Sequence, residues 1–412
     1  MKRIFSVWMV LILTLTLLPA AVAAEGEGFD LRLSADAAGE GWSWEQASRT
    51  LTLDGADLQS ENQPIFRLPD GATLAVKSDS RLSAVKTETP TNATFYALQC
   101  EGGLTLSGAG TLTVESQSGG ICCTALTLGG RLALQTAVFG LNCEGDAMLQ
   151  APLQATLKGD RDKPEEAIAL FCQGNLTVES EVSVEATDAA CGIKGKTVTI
   201  RKEAAVTVSN ENQLETEALA EAGIYSINAI AGTEGITLAG KPAVEASVKA
   251  VGLAECVMAG QTYESSSSVG DLLLEGGSLK ATATCSETAA FGVGGIRVVL
   301  NGGRLEAKAF GTERADRISA AVVAGRYGGV SVGEGMQIAS PKGGYISSDG
   351  RTVVTGAGET ASEVTVSAGN GGVFRDTVSS SLEWICLGVC LVLLAGIGVA
   401  VYLRCKKERN AK

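Results

Sequence analysis

The stretch FYALQCEGGLTLSGAGTLTVES, from Phe95 to Ser116, sets the pattern that the rest of the chain repeats. It contains two short runs of alternating apolar and polar residues, LTL at 104–106 and LTV at 112–114, with Ser-Gly-Ala-Gly between them. Apolar residues at a period of two, bounded by glycine, are typical of short β-strands and not of helices. The stretch therefore predicts a strand, a tight turn and a second strand.

Degraded copies of this unit follow along the chain. The shortest steps between copies are 22 residues, as from Leu104 to Leu126, and longer steps contain polar insertions. The first apolar run of each copy begins at Leu104, Leu126, Met148, Leu176, Val198, Ile236, Leu272, Val298 and Val330. A fixed minimum period with variable loops indicates a solenoid, in which each unit buries its apolar face against its neighbours.

These features predict an all-β fold, a right-handed parallel β-helix. Nine copies stacked at the strand spacing of about 4.8 Å give a rod roughly 45 Å long. We assign residues 95–346 to the repeats and 347–367 to a C-terminal β coil or cap. The sequence of residues 25–94 differs from that of the repeats, and we expect an N-terminal cap there that leads into the first coils.

Both ends of the chain carry signals for membrane targeting. Residues 1–24 have a basic start, a short apolar run and small residues before Glu25, as in a secretory signal peptide. After a linker at 368–383, the uncharged stretch from Ile385 to Leu403 is long enough to cross a bilayer, and Arg404, Lys406 and Lys407 follow it. We therefore expect a transmembrane helix at 384–403, a cytoplasmic tail at 404–412 and an extracellular solenoid, as in a type I single-pass membrane protein.

Four polar excursions interrupt the period of the repeat: 158–166, 209–221, 261–269 and 311–317. Three of them follow a second apolar run and precede the next copy, so we expect them on one side of the rod. Insertions on a common face can bind partners, or can be tolerated solvent loops.

The cysteines occupy positions that stack. Of the eleven cysteines, Cys100, Cys122 or its neighbour Cys123, Cys143 and Cys172 fall at the same place in successive copies. Equivalent positions of adjacent coils lie about 4.8 Å apart, which predicts a column of buried thiols that behave as small apolar side chains. The same separation would also permit disulfides between neighbours, and a secreted chain favours them.

The composition restricts the chemistry. The net charge of −13 argues against nucleic acid as a partner. The chain has no histidine, which excludes Ser-His and Cys-His nucleophilic systems. A carboxylate pair, or a basic residue assisted by Ca²⁺, would remain possible on a β-helix. The acidic candidates are Asp54, Asp57, Asp160, Asp162 and Asp349, and each falls in a turn or a charged loop.

Four residues are candidates for ligand binding: Trp42, Trp44, Asp160 and Asp162. Alternation places the two tryptophans on the same face of a strand, where exposed rings could stack on a sugar. The alternative is that they form the core of the cap, because a solenoid end must be covered by large side chains. We expect no cofactor, with Ca²⁺ as the one candidate ion.

Three segments carry a family resemblance: GWSWEQASRTLTLDGADL from Gly41, LPDGATLAVKSDSRLSAV from Leu68 and ALQCEGGLTLSGAGTLTV from Ala97. Together they resemble surface proteins of Gram-positive anaerobes, especially Clostridia, in which a GWSWD-type opening precedes β-helix coils. Some related β-helix proteins are called carbohydrate-binding domain proteins and have a fold like that of pectate lyases. The resemblance implies architecture more strongly than activity, because one fold hosts many functions.

From these observations we expect a non-catalytic cell-surface protein that binds polysaccharide or a surface protein. Two alternatives remain open. A polysaccharide lyase or glycoside hydrolase would need acidic and basic residues stacked on one flank of the rod. A structural stalk or protein-interaction surface would have no affinity for glycans.

Overall fold

A computed structural model of the chain describes residues 28–61, 63–85, 95–159, 167–260, 270–312 and 319–369. Within these ranges the chain is almost entirely β-strand, with one short helix, Thr216–Glu221. No helix among these residues has the length and apolar character needed to cross a membrane. The predicted signal peptide and the stretch predicted to span the membrane lie outside the described residues.

The strands follow one another around three faces, which we name A, B and C, and each circuit is one coil. Three long strands bend and serve both face A and face B. The face A strands are Phe29–Asp30, Phe66–Leu68, Tyr96–Cys100, Gly119–Cys123, Phe139–Cys143, Ala254–Ala259, Ala290–Gly295 and Ala320–Ala324, together with the first halves of Ile168–Val178, Cys191–Lys202 and Ile227–Gly240.

Faces B and C complete each coil. Face B contains Thr50–Asp54, Ala72–Ser78, Gly103–Ser107, Ala125–Leu128, Ala147–Leu149, Asp271–Leu274, Arg297–Leu300, Val330–Val332 and the second halves of the long strands. Face C contains Asp57–Glu61, Ser80–Val85, Thr111–Ser116, Arg131–Thr136, Leu153–Lys158, Val182–Thr187, Ala205–Glu211, Ala243–Ala250, Ser278–Cys285 and Arg304–Phe310. Each strand pairs in parallel with its equivalents in the neighbouring coils, as in a β-helix-like solenoid.

The register of face B matches the repeat read from the sequence at every copy except one. Leu104 pairs with Leu126, and Leu176, Val198 and Ile236 follow in the same column. In the third copy, Ala147 and not Met148 occupies this position. Ala147 is buried, whereas Met148 is half-buried on the outside of the sheet. The prediction that the third copy begins at Met148 was therefore wrong by one residue.

Antiparallel strands cover both ends of the stack. At the first end, Trp42–Glu45 pairs with Thr50–Asp54, and Ala37–Gly39 pairs with Trp42–Glu45. At the other end, Glu363–Ala368 runs antiparallel to Arg304–Phe310, and Met336–Ser340 pairs with it in turn. A small hairpin, Tyr345–Ile346 with Val353–Val354, encloses the Asp349-Gly350 turn. The added strands thus extend face B at the first end and face C at the other end, while Phe29–Asp30 and Asp57–Glu61 remain the outermost strands of faces A and C at the first end.

The interior is one continuous column of aliphatic side chains. On face A, for example, Ile121, Leu141 and Leu170 are in register and at most 1% exposed. Each such side chain packs between its equivalents in the coils before and after it, so the stability of a coil depends on its neighbours.

We therefore expect Leu141→Ala to destabilise the stack. Loss of a fully buried leucine side chain costs about 2–5 kcal/mol, because the coils on both sides cannot collapse into the cavity. The free energy of unfolding, measured by urea denaturation, should fall by an amount in this range. Gln154→Ala, at an exposed position of face C, is the matched control and should change it by less than about 0.5 kcal/mol. Equal effects of the two substitutions would contradict the packing described here.

Candidate functional site

The two candidate tryptophans lie in the core at the first end of the stack. Trp42 is 4% exposed and Trp44 is 2% exposed. The ring of Trp42 lies 4.6 Å from that of Phe29 and 5.3 Å from that of Phe66, measured between centroids. Rings buried in this way have no free face to present to a sugar. Their burial agrees with the alternative interpretation, in which the tryptophans form the core of the N-terminal cap.

The acidic candidates are not brought together. Asp54 accepts a hydrogen bond from Ser78 in the adjacent coil, and Asp57 lies 3.8 Å from the guanidinium of Arg81. Asp349 is in the C-terminal hairpin, where a hydrogen bond from Ser347 lowers its pKa. Asp160 and Asp162 lie outside the described residues. Asp54, Asp57 and Asp349 therefore each make local hydrogen bonds or ion pairs, and they do not lie together in one site.

The thiol column contains Cys123 in place of Cys122. Cys123 pairs with Cys143, which pairs with Cys172, and all three are at most 1% exposed. Cys122 is in register with Gln99, so Cys123 lies beside Cys100. We use the name thiol column for Cys100, Cys123, Cys143 and Cys172. No disulfide joins the cysteines of the described residues.

The thiols of the column donate hydrogen bonds to carbonyl groups at the corner between faces A and B. Cys100 donates to Pro69 O at 3.2 Å, and Cys172 donates to Gly145 O at 2.8 Å. Hydrogen bonding to Cys143, together with burial, raises the pKa of Cys123 and of Cys172, so both remain protonated at neutral pH. Cysteine fits here because it is small enough for the interior and still donates a weak hydrogen bond.

The outer surface of face A carries aromatic residues that lie close together. Tyr96, Phe139 and Phe171, which we name the aromatic row, are all half-buried and point outward. Tyr96 and Phe139 are both in register with Gly119. A Cβ atom at Gly119 would lie 2.3 Å from the Tyr96 ring, so glycine is what lets this ring lie flat against the sheet.

Polar groups accompany the aromatic row. The Phe139 and Phe171 rings lie 6.0 Å apart, and the ammonium of Lys194 lies 5.8 Å from the centre of Phe171, within cation–π range. Asn142 donates a hydrogen bond of 2.6 Å to the Tyr96 hydroxyl. Rings flanked by amide, hydroxyl and ammonium groups provide the mixture of apolar and polar contacts that is typical of ligand sites.

A cleft continues this surface over the next three coils. Its floor is built from residues in register: Cys191, Asn228 and Glu255 in one column, and Lys194, Ala231 and Met258 in the next. Its wall is the loop 222–226, which follows the helix Thr216–Glu221. The cavity volume is about 370 Å³, enough for a ligand the size of one or two sugar rings. We name this cavity the face A cleft.

Each of the polar insertions noted in the sequence is flanked on one side by a strand of face A. The segments at 158–166, 209–221 and 311–317 each connect a face C strand to the next face A strand. The segment at 261–269 connects a face A strand to a face B strand. Three of the four are thus flanked by a face C strand and the next face A strand, and the described part of the second one forms the approach to the wall of the cleft.

Among the described residues that line the cleft, Glu255 is the one carboxylate. Glycoside hydrolysis normally uses two carboxyl groups that flank the scissile bond. No group of three or more His, Cys, Asp or Glu side chains in the described part of the chain could hold a metal ion.

Sequence reasoning did not identify the aromatic row or Glu255. A signal for the row was present, because Tyr96 and Phe139 both stand four residues before a cysteine of the thiol column, Cys100 and Cys143. No equivalent signal marked Glu255, since its surroundings come from an insertion. No protein-family model, curated protein or solved structure matches this chain.

Replacing a thiol of the column should be costly, whereas replacing its exposed neighbour should not. We expect Cys143→Ala to lower the free energy of unfolding by about 1–2 kcal/mol, because it leaves a small cavity and removes the weak donor to Thr124 O. Cys122→Ala, at a half-buried outer position, is the matched control and should stay within about 0.5 kcal/mol. Urea denaturation measures both. A larger effect at Cys122 would contradict the assignment of Cys123 to the column.

The same arrangement predicts selective alkylation. Of the eight cysteines in the described residues, Cys122 alone is not fully buried, so N-ethylmaleimide should modify it first in the folded protein. Burial raises the pKa of Cys122 to about 11, so the reactive thiolate is scarce at pH 7. The rate of alkylation of Cys122 should therefore rise about tenfold per pH unit up to pH 10. Peptide mass spectrometry after short exposures identifies the modified cysteine. Modification of Cys123 or Cys143 before Cys122 would refute the prediction that Cys122 reacts first.

Proposed function

We propose that this chain is a non-catalytic surface protein that binds polysaccharide along face A. The observation that carries the proposal is the aromatic row, which leads directly into the face A cleft. Aromatic side chains offer a flat apolar surface, and the polar side chains of Asn142, Lys194 and Asn228 lie along the row and in the cleft. A sugar ring has the complementary character, with apolar C–H faces and polar edges.

The geometry suits a chain-like ligand better than a compact one. From the strand with Tyr96 to the strand with Glu255 there are six steps along face A, which is about 29 Å at roughly 4.8 Å per step. The side chains on this path project from one parallel sheet whose coils hold them in register. A glycan lying along the axis of the stack would meet the row first and the cleft at its end.

The proposal includes the cellular setting expected from the sequence. A right-handed β-helix with an N-terminal cap would be exported by the signal at 1–24 and anchored by the helix at 384–403, which leaves face A outside the cell. The acidic net charge disfavours nucleic acid and anionic membrane surfaces. The resemblance to clostridial surface β-helix proteins is consistent with this setting.

We expect the purified full-length chain to bind at least one member of a panel of plant, mucin and cell-wall glycans. Phe139→Ala and Phe171→Ala should each weaken that binding about tenfold, since roughly 1.4 kcal/mol is lost with one stacking ring. Phe310→Ala is the matched control, because Phe310 is 42% exposed but lies at the end of a face C strand. Isothermal titration calorimetry with and without Ca²⁺ provides the affinities.

A second readout uses Cys122, which lies in the adjacent coil beside Asn142. A glycan bound over the row should slow alkylation of Cys122, whereas a glycan bound elsewhere should not. Release of cleaved sugar in the same samples would overturn the non-catalytic part of the proposal. Absence of binding across the panel would favour a stalk or protein-interaction role, and a loss of affinity with Phe310→Ala equal to that with Phe139→Ala would remove face A as the site.

A further inference from the structure

The wall of the face A cleft carries a tyrosine that is not part of the aromatic row. Tyr225 is 81% exposed, although Ile224 before it is 7% exposed and Ile227 after it is 0% exposed. The backbone N–H of Ile224 donates to Leu219 O, in the helix Thr216–Glu221, at 2.8 Å. Buried side chains thus anchor the loop on both sides of Tyr225, which lines the cleft as an exposed aromatic residue.

Two side-chain oxygen atoms near this wall can accept hydrogen bonds from a ligand. Ser226 and Asn228 both line the cleft, and the Ser226 hydroxyl donates to Asn228 Oδ1 at 3.3 Å. The Asn228 amide in turn donates to Glu255 O at 3.0 Å. A hydroxyl oxygen and an amide oxygen each have two acceptor positions. Ser226 Oγ and Asn228 Oδ1 can therefore each accept a hydrogen bond from an N–H or O–H group of a ligand.

The floor beside these acceptors is apolar. Ala231 is half-buried and lies three residues after Asn228 on the same strand, and Met258 is in register with Ala231 in the next coil. Three residues of an extended strand span about 10 Å. Within that distance the lining of the cleft changes from hydrogen-bond acceptors to apolar side chains. A ligand that matches this lining has a hydrogen-bond donor close to an apolar group.

We propose that the face A cleft recognises the acetamido group of an N-acetylated hexosamine. This inference rests on the proposed function, because it names the class of sugar that a polysaccharide-binding face A prefers. An acetamido group joins an N–H donor to a methyl group. The N–H donates to Ser226 Oγ or Asn228 Oδ1, and the methyl group lies on Ala231. The Tyr225 ring packs against the apolar face of the same sugar.

Recognition of this group does not depend on the charged side chains of the cleft. An acetamido group is neutral, so a preference for it requires neither an ionised ligand nor an unpaired charge on the protein. Burial of its methyl group contributes affinity in proportion to the apolar area removed from water. Salt screens the attraction between charges but not this contribution, so the preference should persist at high ionic strength.

The test compares chitohexaose with cellohexaose on the full-length chain. These hexasaccharides have the same length and linkage, and they differ in one substituent of each sugar, an acetamido group in the first and a hydroxyl group in the second. Isothermal titration calorimetry should show that chitohexaose binds at least about fivefold more tightly, at low and at high salt alike, because a methyl group becomes buried.

A smaller preference for chitohexaose, or one that disappears at high salt, would overturn the inference. Binding of other glycans of the panel would in that case leave the proposed function in place. A chain that binds no glycan at all would lose the proposed function as well.

Replacing the tyrosine of the wall tests its part in the site. Tyr225→Ala should weaken the binding of chitohexaose about tenfold, whereas Tyr225→Phe, which keeps the ring, should weaken it less than about threefold. Tyr327→Ala is the matched control, because Tyr327 is 66% exposed and is not part of the cleft lining. Equal losses with Tyr225→Ala and Tyr327→Ala would overturn the inference.

A further set of variants separates the acetamido group from the rest of the glycan. Ala231→Leu fills the space for the methyl group and should reduce the preference for chitohexaose to less than about twofold. Ala75→Leu makes the same change at a half-buried outer position of face B and should retain the preference. Phe139→Ala, in the aromatic row, should weaken both hexasaccharides by the same factor. A full preference in Ala231→Leu would overturn the inference, and the comparison on the unaltered chain decides it even where a variant fails to fold.

Discussion

Hydrogen bonding between parallel strands of successive coils is the interaction on which the rest of this molecule depends. It fixes the spacing of the coils at about 4.8 Å, so a residue type repeated at one position becomes a continuous column. The inner columns are aliphatic, as with Ile121, Leu141 and Leu170. A single coil buries too little surface to be stable alone. Antiparallel strands extend face B at the first end of the stack and face C at the other end.

The thiol column shows how the same constraint selects residues at the corners. A carbonyl oxygen has two acceptor positions, so a corner carbonyl such as Gly145 O, which already accepts a hydrogen bond from Gly174 N, can also accept one from a thiol. Cys100 and Cys172 provide weak donors in a side chain small enough for the interior. Packing and corner hydrogen bonds account for the four cysteines of the thiol column, and no disulfide joins the cysteines of the described residues.

The candidate site arises where the regular stack is interrupted. The rod supplies a flat outer surface, on which register places Tyr96 and Phe139 in one column on either side of Gly119, and Phe171 in a neighbouring column beside Asn142. The insertion that contains the helix Thr216–Glu221 then adds a wall, and the wall turns three coils of this surface into a cleft. A rigid sheet that holds the side chains, with loops that shape the cavity, is a common arrangement in binding proteins.

The sequence by itself determined the strand type, the repeat and its register, because alternation and glycine spacing are local properties. Eight of the nine positions in the inner column of face B, such as Leu104 and Leu126, could be assigned from the sequence alone. Met148 was misassigned because hydrophobicity does not distinguish an inner alanine from an outer methionine. Only the tertiary structure decided that Trp42 and Trp44 are buried, that Cys123 belongs to the column, and that Glu255 lies in a cleft. These facts depend on which coil covers which residue, and residues more than twenty positions apart in the chain decide that.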